Sequence, residues 1–276
     1  MKVVLFCGGY GMRLREFSEN TPKPLVPIGE RPMLWHVMKY YAYFGHTDFI
    51  LCLGYQGQAI KRYFLEYDET VSNDFVLSKG GADLELLGCD IRDWTITFVD
   101  TGLESNIGER LRRVREHVGD DEMFLANYSD GLTDFHLPDL VERVEHSGAV
   151  GGFVAVRPPY SFHVVDAEPD GRVHEVRDLT QAGLRINGGY FVFRREIFEY
   201  MNPGEELVQE PFQRLTSQGL LTSYSYDGFW MSMDTFKEKQ RLDDMYSRGQ
   251  RPWALWSQPP RLPVLEGAGL EGVGRF

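Results

Sequence analysis

The sequence predicts an α/β fold, one domain on a Rossmann-like, mostly parallel (mixed) sheet with strands added in its second half. Three observations predict it. Val3 to Phe6 is a continuous apolar run that stops at Gly8-Gly9-Tyr10-Gly11, as a buried strand feeding a turn does. Strand-like and helical periods then alternate along the first half, and a crossover helix is what returns a chain to lay down a parallel neighbour. Beyond Ala149 the spacers shorten, which predicts mixed or antiparallel strands joining the same sheet.

Taken in order, Met33 to Phe44 carries apolar residues at helical spacing after Pro32, Phe49 to Leu53 is a second strand, and Gln58 to Tyr67 is again helical in period. Phe75 to Leu77 and Leu84 to Leu87 are short strands around Gly80-Gly81, the pattern of a hairpin. Thr95 to Val99 is a strand, Glu109 to His117 a basic helix, and Met123 to Tyr128 a strand ending in Ser129-Asp130-Gly131. Gly152 to Val156, His163 to Asp166 and Tyr190 to Phe193 supply the later strands, and Thr235 to Tyr246 the last helix. Residues 1–256 make up the domain, with a first half over about 1–135 and a second half over about 136–256. Residues 257–276, with Pro259, Pro260, Pro263 and four glycines, are expected to form a flexible tail.

At 276 residues the chain is long enough for one large core, and 42% hydrophobic with 25% charged residues is the balance of a globular domain. No apolar run approaches the roughly 20 residues of a spanning helix, so no membrane partner is expected. A formal charge of −12 argues against a nucleic-acid polymer, whose phosphates are bound by clustered Lys and Arg. Cys7, Cys52 and Cys89 are odd in number and lack Cys-x-x-Cys spacing, so neither a disulfide framework nor a zinc site is suggested, and the expected location is cytoplasmic.

The segment Gly8-Gly9-Tyr10-Gly11-Met12-Arg13, followed by Lys23-Pro24, carries the most chemical information. Glycines directly after a first strand let the backbone approach a phosphate, with their N–H groups forming an anion-binding concavity. Arg13 adds a fork of donors and Lys23 a point charge. A dinucleotide fingerprint would need a third glycine where Leu14 stands, and the P-loop Gly-Lys-Ser/Thr is absent, so a dehydrogenase is a distant alternative. Asp130-Gly131 alone is an ordinary turn pair, and Asp234 before a helical run is an ordinary cap.

The pattern Gly8-Gly9-x-Gly11-x-Arg13-Leu14, Pro22-Lys23-Pro24-Leu25-Val26-x-Ile28-Gly29 and Pro32-Met33-Leu34-Trp35-His36 resembles the sugar-1-phosphate nucleotidyltransferases, most closely the glucose-1-phosphate cytidylyltransferases. The resemblance runs on through Val99-Asp100-Thr101-Gly102, Arg110-Leu111-x-Arg113-Val114, Ser129-Asp130-Gly131, Ile186-Asn187-Gly188-Gly189, Gly228-Phe229-Trp230 and Met233-Asp234-Thr235, to Pro252-Trp253. It implies Mg²⁺-dependent transfer of a nucleotidyl group, with CTP favoured, to a phosphorylated sugar 1-phosphate-like acceptor with release of pyrophosphate. It also implies roles for single residues. Arg13 and Lys23 are catalytic and grip the triphosphate; Gly8, Gly9, Gly11, Met12, Thr101, Gly102, Gly108, Arg110 and Ser129 complete the nucleotide side. Asp130 and Asp234 hold Mg²⁺, as hard oxygen ligands would. His163, Arg177, Asp178, Asn187, Gly188 and Trp230 face the acceptor. His36, by contrast, reads as a core histidine, and a homo-oligomer is expected.

The resemblance makes residues of about 1–135 the nucleotide half and of about 136–256 the acceptor half, and departures from the family pattern concentrate in the acceptor half. Met12 stands where relatives place Thr. Arg177-Asp178-Leu179 stands where relatives carry Glu-Lys-Pro, so an acid replaces the lysine that binds the sugar phosphate, and His163 replaces a glycine. Arg177, Arg185 or His163 would then supply the cation, or the acceptor itself carries a positive group. The competing expectation is a catalytically inactive, nucleotide-binding regulatory homologue, against which both metal carboxylates argue.

Overall fold

The structure is a computed structural model that describes residues 1–9, 21–158, 162–179 and 182–257. Its centre is a seven-stranded sheet of β1 (Val3–Phe6), β2 (Asp48–Leu53), β3 (Thr95–Asp100), β4 (Met123–Asn127), β5 (Gly151–Val156), β6 (Ile186–Arg194) and β7 (Leu221–Tyr226), in the spatial order β7-β5-β6-β4-β1-β2-β3. β1 is parallel to β2 and β4, β2 to β3, and β5 to β7, while β6 runs antiparallel to both of its neighbours.

The apolar runs explain why these strands are central. In β1, Val3 and Leu5 belong to the hydrophobic cluster on one face of the sheet, and Val4 and Phe6 to the cluster on the other. Both faces are covered, which is why such a strand reads as continuously apolar. One face takes α1 (Met33–Tyr43), α2 (Gly57–Leu65), α4 (Leu137–Ser147) and α6 (Phe236–Ser247), through side chains such as Val37, Ile60, Leu140 and Leu242. The other takes α3 (Ile107–Arg113), the one-turn helix Arg115–Val118 and α5 (Glu210–Ser217), through Leu111, Val118 and Phe212. Phe124 stacks on Phe198 at 5.6 Å within this second layer, and each such buried ring contributes on the order of 2–3 kcal/mol.

Several sequence expectations are revised. The helix expected over Glu109 to His117 breaks at Val114 into two pieces. The strand at His163 does not join the sheet. It pairs with Val173–Asp178 in a separate hairpin, because its charged and half-exposed residues cannot sit between two covered faces. The edge strand β7, Leu-Thr-Ser-Tyr-Ser-Tyr, has too many hydroxyls to announce itself as a strand. The hairpin expected near Gly80-Gly81 forms, pairing Phe75–Ser78 with Asp83–Leu86. The chain is packed through Trp256, which meets Trp35 edge-on at 5.7 Å; the expected tail beyond Ser257 lies outside the described residues.

The order β3-β2-β1-β4 places a topological switch between β1 and β4, where the chain stops adding strands outward and crosses to the other side of β1. Open α/β sheets bind ligands at such a point, beyond the strands' carboxyl ends. The loops that open there are Cys7-Gly8-Gly9 after β1 and Tyr128-Ser129-Asp130 after β4.

Candidate active site

Asp130 owes its position to an unusual turn. Ser129 is fully buried and adopts φ +65°, a left-handed conformation uncommon for a residue with a side chain. The Asn127 side-chain oxygen accepts the Ser129 backbone N–H at 2.6 Å and holds the turn closed. A two-stranded ribbon follows, pairing Gly131–Thr133 with Trp230–Ser232 in antiparallel register, Ser232 opposite Gly131. Met233 then donates its N–H to the Asp130 carbonyl at 2.8 Å. This register is what carries Asp234 to the side of Asp130.

Asp234 is not the cap of α6. Thr235 is: its hydroxyl accepts from the Glu238 N–H, and the Glu238 carboxylate accepts from the backbone N–H groups of Thr235 (2.8 Å) and Asp234 (2.6 Å). With a capping box closing the helix, the Asp234 carboxylate is left to the cleft.

Lys23 comes from a short 3₁₀ turn, Lys23–Leu25, braced by Pro22 and Pro24, whose rings fix the local backbone. Its Nζ donates to Asp130 Oδ2 and to Asp234 Oδ1, each at 2.7 Å. Burial opposes the charge on Lys23, yet the two carboxylates outweigh it and raise its pKa. Burial lifts the Asp130 carboxyl above the usual carboxylate range; Lys23 pulls it back and Asp234 pushes it further up. The donor set fits Mg²⁺: two hard carboxylate oxygens converge on one cation position, and this ion fills its other positions with water and phosphate oxygens. Among the described residues, no group of three or more His, Cys, Asp or Glu forms an all-protein metal cage.

Of the residues expected on the nucleotide side, Gly8 and Gly9 follow β1 at the switch point, while Gly11, Met12 and Arg13 lie outside the described residues. Arg110 does not reach into the cleft. It is 3% exposed and lies against Gly8 so closely that any Cβ there would sit 2.1 Å from its guanidinium. It donates to the carbonyls of Gly8 (3.0 Å), Leu53 (3.1 Å), Gly102 (3.0 Å) and Leu103 (3.3 Å), and to the Thr101 hydroxyl (2.8 Å). Arg110 therefore ties together the ends of β1, β2 and β3 beneath the glycine loop. Thr101 is equally committed, its hydroxyl donating to the Leu53 carbonyl at 2.7 Å. Gly108 is needed for packing, since a Cβ there would meet the Glu205 carbonyl at 2.2 Å. Ser129 accepts the Cys7 thiol at 3.5 Å. Burial pushes that thiol up to about 12, so it is inert.

The residues expected to face the acceptor divide into two groups. Asn187, Gly188 and Trp230 are together beside the Asp130–Gly131 loop: Asn187 Nδ2 donates to the Tyr128 hydroxyl at 3.2 Å, and Trp230 Nε1 donates to the Gly188 carbonyl at 2.8 Å. His163, Arg177 and Asp178 are on the separate hairpin, with His163 paired opposite Asp178. Sequence reasoning missed Asn127, Tyr128 and the capping pair Thr235 and Glu238. The Thr-x-x-Glu spacing was a readable signal for the last of these.

A mixed sheet that opens two loops at its switch point, with a lysine and two carboxylates converging there, is the architecture of a nucleotide-handling α/β enzyme. The chain matches the nucleotidyl transferase family over residues 2–237, belongs to it, and is a nucleotidyltransferase. It is 36% identical over 258 residues to the probable glucose-1-phosphate cytidylyltransferase of Bacillus subtilis (strain 168), covering 93% of this chain and 100% of that protein. It is 37% identical over the same length and coverage to the glucose-1-phosphate cytidylyltransferase of Salmonella typhi. Among solved structures, HddC from Yersinia pseudotuberculosis complexed with GMP-PN superposes with a TM-score of 0.66 at 16% identity, covering 89% of this chain and 99% of that one. UDP-glucose pyrophosphorylase from Acinetobacter baumanii does so at 0.66 and 16%, covering 91% and 95%. At that identity the structural likeness bears on the fold alone. No helix among the described residues is long and apolar enough to cross a membrane.

Proposed function

We propose that this enzyme transfers the cytidylyl group of CTP to a phosphorylated small molecule, a sugar 1-phosphate or a close analogue, with Mg²⁺ and with release of pyrophosphate. The observation that carries the proposal is the convergence of Lys23, Asp130 and Asp234 at the switch point, within 2.7 Å contacts. The cytidylyltransferase relatives support the choice of CTP.

The chemistry joins two anions. A phosphate oxygen of the acceptor attacks the α-phosphorus, and the bond to the pyrophosphate oxygen breaks, so negative charge accumulates on the leaving group. Lys23 is placed to compensate that charge. Gly9, where a Cβ would meet nothing within 4 Å, leaves room for the triphosphate along the end of β1, while the missing Cβ of Gly8 admits the Arg110 guanidinium that holds the floor rigid. Asp130 and Asp234 would hold Mg²⁺, which supplies further compensation on the phosphate oxygens. Asn187, Gly188 and Trp230 form the wall on which the acceptor is oriented.

Screening the four nucleoside triphosphates against a panel of phosphorylated acceptors for pyrophosphate release tests this. CTP with Mg²⁺ is expected to support release with at least one acceptor. Calorimetric binding of CTP without release for any acceptor would point to a regulatory homologue, and absence of nucleotide binding would remove the proposal.

A further inference from the structure

One ammonium group bridges the two carboxylates: Lys23 Nζ stands 2.7 Å from Asp130 Oδ2 and 2.7 Å from Asp234 Oδ1. The three side chains are 15%, 28% and 26% exposed, so the bridge is partly withdrawn from water. Two carboxylates at this spacing repel each other unless a cation stands between them. In the free chain that cation is Lys23.

The surroundings differ in how far they can move. Asp130 is fixed by the left-handed Ser129, by Asn127 and by the Met233 N–H on its carbonyl. Asp234 is fixed by the capping box that Glu238 closes on its own N–H. The Lys23 backbone is fixed by its 3₁₀ turn and flanking prolines. What remains free to swing is the four-carbon stem of Lys23.

We infer that Lys23 is a built-in stand-in for the divalent cation, occupying the shared carboxylate position until a triphosphate draws it away. The inference rests on the proposed reading of Asp130 and Asp234 as metal ligands. The carboxylate oxygens that accept from Nζ are the ones a metal would need, and an ammonium and a divalent cation repel at that distance. A triphosphate offers Lys23 a second, stronger anion. Metal and nucleotide therefore bind synergistically, the metal alone weakly, and the coupling is reciprocal. A carboxylate pair kept compensated in this way also avoids trapping a divalent ion before substrate arrives.

The test uses Mn²⁺ alone as the probe, at pH 8, with free Mn²⁺ followed by electron paramagnetic resonance. The wild-type chain is expected to hold Mn²⁺ weakly, Lys23→Met to hold it about tenfold more tightly or better, and Lys23→Arg to behave like wild type. Adding Asp234→Asn to Lys23→Met should cancel the gain, which places the extra binding at the carboxylate pair. Lys23→Gln serves the same arm should the methionine variant fail to fold. Equal Mn²⁺ affinity in wild type and in the folded Lys23 variant would overturn the inference. That result would leave the nucleotidyltransfer proposal standing, whereas failure of wild type to bind CTP in the presence of Mg²⁺ would remove the proposal itself.

Discussion

The guanidinium of Arg110 donates to the carbonyl oxygen of Gly8 across 3.0 Å, joining α3 to the loop that follows β1 at the switch point. The same group serves four other acceptors at the ends of β2 and β3. Removing it strands several buried oxygens, each costing on the order of 1–3 kcal/mol. Arg110→Met is expected to destabilise the fold by about 3 kcal/mol, read as a lowered Tm. Arg110→Lys, which keeps the charge and loses the fork, should fold better than Arg110→Met yet raise KM for CTP by about tenfold. An unchanged KM in Arg110→Lys would show that Gly8 needs no support from below.

Asp130→Asn and Asp234→Asn each replace a carboxylate proposed as a metal ligand by a near-isosteric neutral amide. Turnover should fall by about 10²–10³-fold, the scale on which losing one electrostatic stabiliser acts. Neither change touches the Met233 N–H bond to the Asp130 carbonyl or the capping box at Thr235, so the melting temperature should move little. Wild-type turnover in both variants would dissociate the carboxylates from the reaction.

Much of this arrangement was legible in the sequence because β1, β2 and β4 are parallel strands covered on both faces, whose apolar runs are hard to misread. The later half was less legible for physical reasons. β7 alternates Thr and Ser with Tyr because it is a sheet edge, and the His163 strand carries a polar pattern because it leaves the sheet altogether. Arg110 shows the limit at the site: spacing reveals a charge on a helix but not that the guanidinium folds inward onto carbonyls. Asp130 and Asp234 carry no local signal of their proximity, which arises from the register of Ser232 against Gly131. The family resemblance, not periodicity, joined them.

Stability should depend on pH through His36. Its Nε2 donates to the Ile28 carbonyl at 2.9 Å, inside a shell of Trp35, Tyr246, Trp253 and Trp256. Burial lowers its pKa to about 4; the charges of Arg251 and Arg31 act in the same direction, while carbonyls of Ile28 and Arg31 oppose. The unfolded chain takes up this proton near pH 6.5 and the folded chain does not. The contribution is therefore intact above about pH 6.5 and is lost as pH falls toward 4, on the order of 3 kcal/mol in all. Thermal melts should steepen in their loss of Tm across that window for wild type and flatten in His36→Gln. Parallel pH profiles in the two proteins would assign the acid sensitivity elsewhere.

The acceptor is where this chain departs furthest from the family pattern, and the structure narrows the options for its cation. Arg185 is already engaged, donating to the Asp227 carboxylate at 2.9 and 3.1 Å and to the carbonyls of Ala155 and Tyr226. Arg177 pairs with Glu175 at 3.3 Å. His163 stands opposite Asp178 in the hairpin, which leaves the sheet between β5 and β6 beyond the paired residues Val156 and Ile186. That is the edge at which Asn187 and Gly188 begin β6. A phosphate dianion beside Asp178 would meet a like charge, unfavourable by about 4 kcal/mol for each unit of its charge at ~4 Å and an effective dielectric of about 20, less where water screens it. Glucose 1-phosphate is therefore expected to be a poor acceptor relative to one bearing a positive group. Asp178→Lys should raise kcat/KM for glucose 1-phosphate by about tenfold while leaving KM for CTP unchanged, since the hairpin pairs only with itself and with none of the strands whose ends carry the residues expected on the nucleotide side. If glucose 1-phosphate is used efficiently by the unmodified enzyme and the substitution alters nothing, Asp178 does not touch the acceptor, and selectivity resides with Asn187, Gly188 and Trp230 instead.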